Sequence, residues 1–345
     1  ESMTAPTGRK VFFLTDPIED WPRDWADYKK NYEATFTAKL LYPDNDNYEV
    51  MPWPERIYEG LYKKSADSDE KIRIPRFYST QMQVMINALN QIPLSNNEIS
   101  GSKGLSVLMF QRTPEPVAGY DDPQLSNFYG QALPFLKRGV PVHLMHIENV
   151  SYPENWKDTK VLLMSYSNMK PLDEKAHQYI ADWVKKGGVL VYSATDRDSF
   201  QQVQEWWNQG ENHFRAPSEH LFQLMGIKPN ASEGEYACGK GTVYVFRKDP
   251  KQYVMKEDGD RIYVEIVKRM YEDKAKAGKL EFKNNFYLKR GMYELVSVMD
   301  ESVSDKPYQL KGRFIDLFDP QLPVLAQKTV NPGEQAFLIN LDQVK

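Results

Sequence analysis

The sequence predicts an α/β protein: a doubly wound parallel sheet, preceded by two strand–helix units and followed by a small all-β domain. Three observations carry that class. Short apolar runs, among them Gly104–Phe110, Val161–Ser165 and Gly187–Ser193, alternate with helical stretches, the pattern of a parallel sheet covered on both faces. Gly187-Gly188 falls between a helical stretch and a strand, where a left-handed helix cap is expected. From Lys279 onward the spacing shortens to alternating strands broken by Gly, Pro and Asp, the mark of an all-β segment.

Taken in order, Lys10–Thr15 reads as a buried strand running into the acidic turn Asp16-Pro17-Ile18-Glu19-Asp20. Trp25, Tyr28, Tyr32, Phe36 and Leu40 recur at intervals of three or four and predict a helix with one aromatic face. Pro43 ends it, Asp44–Asn47 turns the chain, and Tyr48–Trp53 is a second short strand. A polar stretch, Lys63–Lys71, leads to another amphipathic helix marked by Tyr78, Met82, Met85, Leu89 and Ile92. The polar linker Pro93–Lys103 is a domain boundary.

Beyond it come strand Leu105–Phe110, a helix near Leu125–Lys137, strand Pro141–His146 and strand Val161–Ser165. A helix over Asp173–Lys186 turns Ala176, Ile180 and Trp183 inward, and strand Val189–Ser193 follows. Short helices at Ser199–Trp207 and Ser218–Met225, strand Gly241–Phe246, and a helix carrying Ile262, Ile266, Met270 and Tyr271 complete this part. The last segment supplies strands Phe286–Arg290, Tyr293–Met299, Lys311–Asp316 and Ala336–Asn340. The expected domains are thus 1–100, 103–278 and 279–345.

The 345 residues carry a net charge of −4 with the signs interleaved, so no basic stripe for nucleic acid stands out. The apolar runs are strand-sized, well short of the ~20 residues of a membrane helix, and the chain reads as soluble. Cys238 is the single cysteine, which excludes an intrachain disulfide and a thiolate zinc cluster. The chain starts at Glu1 without an initiator methionine or a signal-peptide pattern, so it is expected to be processed or a piece of something longer. Aromatic residues at 13% are compatible with an aromatic-lined ligand cleft and equally with a large core.

Chemistry is scarce where an α/β sheet ordinarily holds it, beyond the carboxyl ends of the strands. Gly239-Lys240-Gly241 precedes a strand and lacks the dinucleotide fingerprint, and no P-loop occurs. His143 and His146 have odd spacing on a strand and aim at opposite faces, and His177, His213 and His220 are scattered, so no metal or cofactor is expected. Ser193 lies where a nucleophile elbow would, but lacks the flanking glycines of GxSxG and an evident His–Asp pair.

The runs GLSVLMF, GVPVHLM, KVLLMSYSNMKPLDEKAHQYIADWVKKGGVLVYS and GKGTVYVF make the segment from about Gly104 to Gly278 resemble a known domain. It is similar to the class I glutamine amidotransferase-like, flavodoxin-like domain that serves for trimerisation in glycoside hydrolase family 42 β-galactosidases. The resemblance covers about half the chain. True amidotransferases carry a nucleophilic cysteine just after the strand matching Val189–Tyr192; here that place is near Ser193, which implies a non-catalytic domain.

In the resembling family this domain follows a TIM barrel and precedes a small β-sandwich. KVFFLTDPIED and YEVMPWPERIY then look like the seventh and eighth barrel strands, and six units would lie upstream of Glu1. Barrel sites use strand carboxyl ends, and glycosidases need two carboxylates. The resemblance therefore implies Asp16, Glu19 and Glu49 as catalytic candidates, with the acid/base of the fourth strand outside this chain. Asp20, Trp21, Trp53 and Glu55 are the substrate-binding candidates, and Trp25 and Tyr48 could extend a sugar platform, although core packing explains Trp25 better. The implied protein is a secreted or periplasmic hydrolase of an oligosaccharide or polysaccharide, β-linked, enzymatic when joined to the rest of the barrel and assembled as a homo-oligomer. A non-catalytic carbohydrate-binding or scaffolding protein of the same architecture is the alternative.

Overall fold

The computed structural model describes residues 2–14, 23–42, 45, 47–49, 54–92, 98–110, 124–198 and 203–344. Along the chain, strand β1 (Phe13–Leu14) precedes helix α1 (Trp25–Lys39), and β2 (Tyr48–Glu49) precedes the short α2 (Pro54–Tyr58). A hairpin of β3 (Leu61–Lys63) and β4 (Lys71–Arg73) leads to α3 (Arg76–Gln91) and β5 (Glu98–Ile99). Next come β6 (Leu105–Met109), α4 (Gly130–Leu136), β7 (Val142–His146), β8 (Val161–Met164), α5 (Lys175–Lys185) and β9 (Val189–Ser193). Helix α6 (Pro217–Leu224), strands β10 (Gly234–Cys238) and β11 (Gly241–Phe246), and α7 (Arg261–Arg269) follow. The chain closes with β12 (Asn285–Arg290), β13 (Tyr293–Val298), β14 (Tyr308–Asp316), β15 (Val324–Val330) and β16 (Gln335–Asn340).

These elements fall into two compact units: residues 9–100 with 284–345, and residues 2–8 with 101–283. The first and third segments of the sequence reading thus share one unit.

In the second unit the sheet order is β10-β11-β9-β8-β6-β7, parallel throughout except for the antiparallel edge strand β10. Alternate residues feed opposite cores, as a strand's period of two requires. Leu190 and Tyr192 join Leu162, Met164, Ile180 and Phe222 on one face, under α5 and α6. Val189 and Val191 join Val107, Leu163, Phe135 and Val267 on the other, under α4 and α7. Burial on both faces is why these strands read as continuous apolar runs. Gly187 has φ +125°, a left-handed conformation that favours glycine, and releases α5 into β9. Gly241 opens β11 where an added Cβ would lie 2.1 Å from the Val184 carbonyl oxygen, so any side chain would force helix and strand apart.

In the first unit β1 and β2 form a parallel pair, Phe13 opposite Tyr48 and Leu14 opposite Glu49. Helix α1 starts at Asp24, whose carboxylate accepts from the Asp27 amide at 2.9 Å, an N-cap contact. Its aromatic stripe is buried as the spacing predicts: Tyr28, Tyr32, Phe36 and Leu40, together with Tyr78, Met82, Met85 and Leu89 of α3. Both helices pack on Leu288, Tyr293, Leu295 and Phe337 of an antiparallel sheet ordered β15-β14-β16-β13-β12-β5. The C-terminal strands therefore form one six-stranded sheet joined by β5, where the sequence reading expects a separate sandwich. The physical reason is that α1 and α3 supply the apolar layer a second sheet would provide, while Val296, Val298, Phe314 and Leu338 make a smaller cluster of their own. β14 carries a register shift between Lys311 and Phe314, so its first part pairs only with β15 and its last part also with β16. β5 pairs with β12, Ile99 opposite Leu288.

Helix α7 buries Tyr263, Val264 and Val267, with Ile266 packed beside them, Met270 and Tyr271 buried in the turn that follows, and Ile262 48% exposed. Two sequence expectations change. The helix expected over Ser199–Trp207 is turn and coil over its described residues Val203–Trp207. The helix expected over Leu125–Lys137 begins as a wider π turn at Leu125–Tyr129 before α4.

Candidate functional site

Of the residues expected to act, Asp16, Glu19, Asp20, Trp21 and Trp53 lie outside the described residues. Glu49 stands at the carboxyl end of β2, in register with Leu14. Glu55 is exposed on the first turn of α2. The two aromatic residues offered as platform extensions are engaged in packing. The Trp25 ring meets Phe77 edge-on at 5.4 Å. Tyr48 lies 6.1 Å from the Phe13 ring and donates its hydroxyl to the Asn45 carbonyl at 2.8 Å.

The carboxyl edge of the large parallel sheet shows what became of the elbow position. Ser193 is fully buried; its hydroxyl bonds to the Lys248 carbonyl at 3.0 Å and to the Tyr253 hydroxyl at 2.7 Å. A serine nucleophile needs a base within hydrogen-bond reach, and these partners are a carbonyl and a phenol whose pKa burial raises. Three residues on, Asp196 adopts φ 54° and gathers a polar cluster. Its carboxylate accepts from Tyr192 at 2.6 Å, Ser218 at 2.8 Å and Arg247 at 2.5 Å. This carboxylate ties β9 to α6 and to the end of β11, which is a bracing role.

One constellation escaped the sequence. His177 on α5 and His220 on α6 lie with their Nδ1 atoms 2.8 Å apart, and His177 Nε2 is 2.6 Å from the Tyr166 hydroxyl. With Tyr166 as donor, His177 carries its proton on Nδ1 and donates to His220. Trp206 packs edge-on against both rings, at 5.5 Å from each. Burial first, and the neighbouring His220 second, push the His177 pKa down to about 3. His220 is lowered too, by burial, with Glu174 opposing. The pair is a neutral hydrogen-bonded chain, and the contact of α5 with α6, not any sequence spacing, creates it. Lys39 is the other titratable outlier: in the last turn of α1 its ammonium is buried without a hydrogen-bond partner, and burial lowers its pKa to about 8. That end of a helix favours a cation.

Among the described residues no group of three His, Cys, Asp or Glu side chains is set to hold a metal ion, and no helix is long and apolar enough to cross a membrane.

No family model matches the chain. Solved structures similar to it include several β-galactosidases. One is the β-galactosidase of Bacillus circulans sp. alkalophilus, 10% identical with a TM-score of 0.41, covering 76% of this chain and 44% of that one. Another is a catalytic mutant of a GH42 β-galactosidase from G. stearothermophilus, 12% identical with a TM-score of 0.44, covering 80% and 45%. Among curated proteins, the mouse Ras-related protein Rab-39A is 22% identical over 151 residues, 44% of this chain and 59% of that protein. The chain thus spans under half the length of these solved structures and about three fifths of the curated relative.

Proposed function

We propose that this chain is the C-terminal portion of a glycoside hydrolase resembling family 42 and acting on β-linked glycans. In this reading Lys10–Ile92 are the last two strand–helix units of a (β/α)8 barrel. The observation that carries it is the β1–β2 pair: neighbouring parallel strands with Leu14 opposite Glu49, and acidic sequence at the carboxyl end of each. Barrel enzymes keep their chemistry at that end.

Glycoside hydrolysis needs one carboxyl group to protonate the leaving oxygen and another as nucleophile or as base for water. Asp16 or Glu19 takes the second role, with Glu49 beside it, and the acid comes from an upstream strand. Asp20, Trp21, Trp53 and Glu55 contact the sugar. The second unit is the flavodoxin-like, amidotransferase-like assembly domain. Its parallel strands β6, β7, β8, β9 and β11 stand in the order 2-1-3-4-5, with β10 an antiparallel edge strand, which supports that assignment, and the engaged Ser193 supports its lack of catalysis.

The test is direct. The coding sequence upstream of Glu1 is expected to encode six further strand–helix units with a glutamate ending the fourth, and their absence overturns the reading. In the joined protein Asp16→Asn, Glu19→Gln and Glu49→Gln are assayed on chromogenic β-glycosides. Loss of about a thousandfold or more in kcat is expected for the nucleophile. Unchanged activity in all three removes this edge from the mechanism. Light scattering on the same protein checks the assembly role, for which a trimer is expected.

A further inference from the structure

A cavity of about 340 Å³ opens in the second unit at the carboxyl edge of its sheet. Phe110 follows β6, Ile147 and Glu148 follow β7, Lys170 follows β8, and Tyr179 stands on α5; all line it. The position is set by topology. β6 lies between β7 and β8, and the crossover through α4 packs on one face of the sheet while that through α5 packs on the other. Connections that leave to opposite faces open a crevice between adjacent strand ends, where sheets of this kind bind ligands.

The lining selects a chemical class. Its floor is apolar, with Phe110 4% and Ile147 7% exposed, and the Tyr179 ring stands 47% exposed at the rim. Charges of both signs line it: Lys170 and Lys175, Glu148 and Asp173. The Lys170 ammonium is held in place by the Tyr166 carbonyl and by Asp198 at 2.9 Å. With Lys170 paired to Asp198 and Lys175 to Asp173, the described lining has no cation uncommitted to a carboxylate to draw a phosphate, and no group of three His, Cys, Asp or Glu side chains is set there to hold a metal cation. An aromatic wall with both donors and acceptors around it instead matches a ring whose faces are apolar and whose edge carries hydroxyls, each able to donate and to accept. The volume lies at the lower end of small-ligand pockets, roughly 300–1,000 Å³, enough for one or two such rings.

We propose that this crevice is a non-catalytic binding site for a neutral sugar, with Tyr179 as the stacking face and Glu148 accepting from its hydroxyls. The choice of a sugar among neutral ring-shaped polyols rests on the glycan-acting reading above. The assembly unit would then hold glycan near the enzyme as well as joining copies of it.

Saturation-transfer NMR on the whole chain, with methyl β-galactoside, methyl β-glucoside and lactose as probes, tests this. Millimolar binding of at least one probe is expected, weakened about tenfold by Tyr179→Ala, the loss of one stacking contact, and weakened also by Glu148→Gln. Both variants are checked for an unchanged melting curve, and Tyr179→Phe is expected to keep binding. No transfer to any probe, or transfer unaffected by Tyr179→Ala, overturns the proposal. Sugar binding without hydrolysis in the joined protein would sink the hydrolase reading alone; hydrolysis without binding at this crevice would sink the present one alone.

Discussion

His177 has no access to solvent, and its two ring nitrogens are committed to Tyr166 and His220. Unfolded, it titrates near its ordinary value of 6.5; folded, burial holds it at about 3. The folded state therefore binds fewer protons between those values, so the stability this site contributes is full above pH 6.5 and drains away as the pH falls toward 3. His220 acts in the same direction, with Glu174 opposing. By pH 5 the loss at His177 is of the order of 2 kcal/mol. Urea melts near neutral pH and near pH 5, on the native chain and on His177→Gln, should show a shallower pH dependence in the variant; equal dependence would exclude His177 as its source. Nothing in the sequence announced this pair, because the two residues meet only through the packing of α5 on α6.

The elements that could be read from sequence are those with a strong period or full burial. The aromatic stripe of α1, the stripe of α3 and the apolar strands β9 and β11 all fall where their residues place them. The strands not foreseen, β3, β4, β5, β10 and β15, lack fully buried runs, and all of them are sheet edges or a lone hairpin with exposed residues. Charged residues and a single buried face leave little apolar signal at such positions. Helix α7 shows a different limit. Ile262, Tyr263, Val264, Ile266 and Val267 make a stripe wide enough to be turned either way, and the neighbours decide: Tyr263 stacks on Tyr253 at 4.1 Å and packs against Phe135 and Phe246. Ile262→Ala is accordingly expected to change stability by no more than about 0.5 kcal/mol, and Val267→Ala to cost roughly 2 kcal/mol, in parallel urea melts. The reverse order would put Ile262 on the buried face. The candidate site was legible only as acidic residues at strand ends, since the distances between carboxylates depend on how strands are joined and not on their order.

At the scale of the whole molecule, the chain leaves its first unit after Ser100 and comes back at Asn284. Two units result, one of which joins Phe36 to Phe337 across 5.3 Å. Calorimetry should therefore resolve two transitions. Phe36→Ala, with a cost of about 3–5 kcal/mol, is expected to lower one of them and leave the acid-sensitive one in place. A single transition shifted by both Phe36→Ala and acid would show that the units melt as one. The pairing of β5 with β12 also bears on how the chain is born. Helices α1 and α3 leave the ribosome well before the strands β12, β13 and β16 that cover their aromatic faces. At roughly 5–20 residues per second the uncovered interval lasts of the order of ten to fifty seconds, during which the inserted unit can finish folding. The nascent chain thus carries a greasy, uncovered surface while the inserted unit is being synthesised, and holdase chaperones that grip such surfaces have their natural target in α1 and α3.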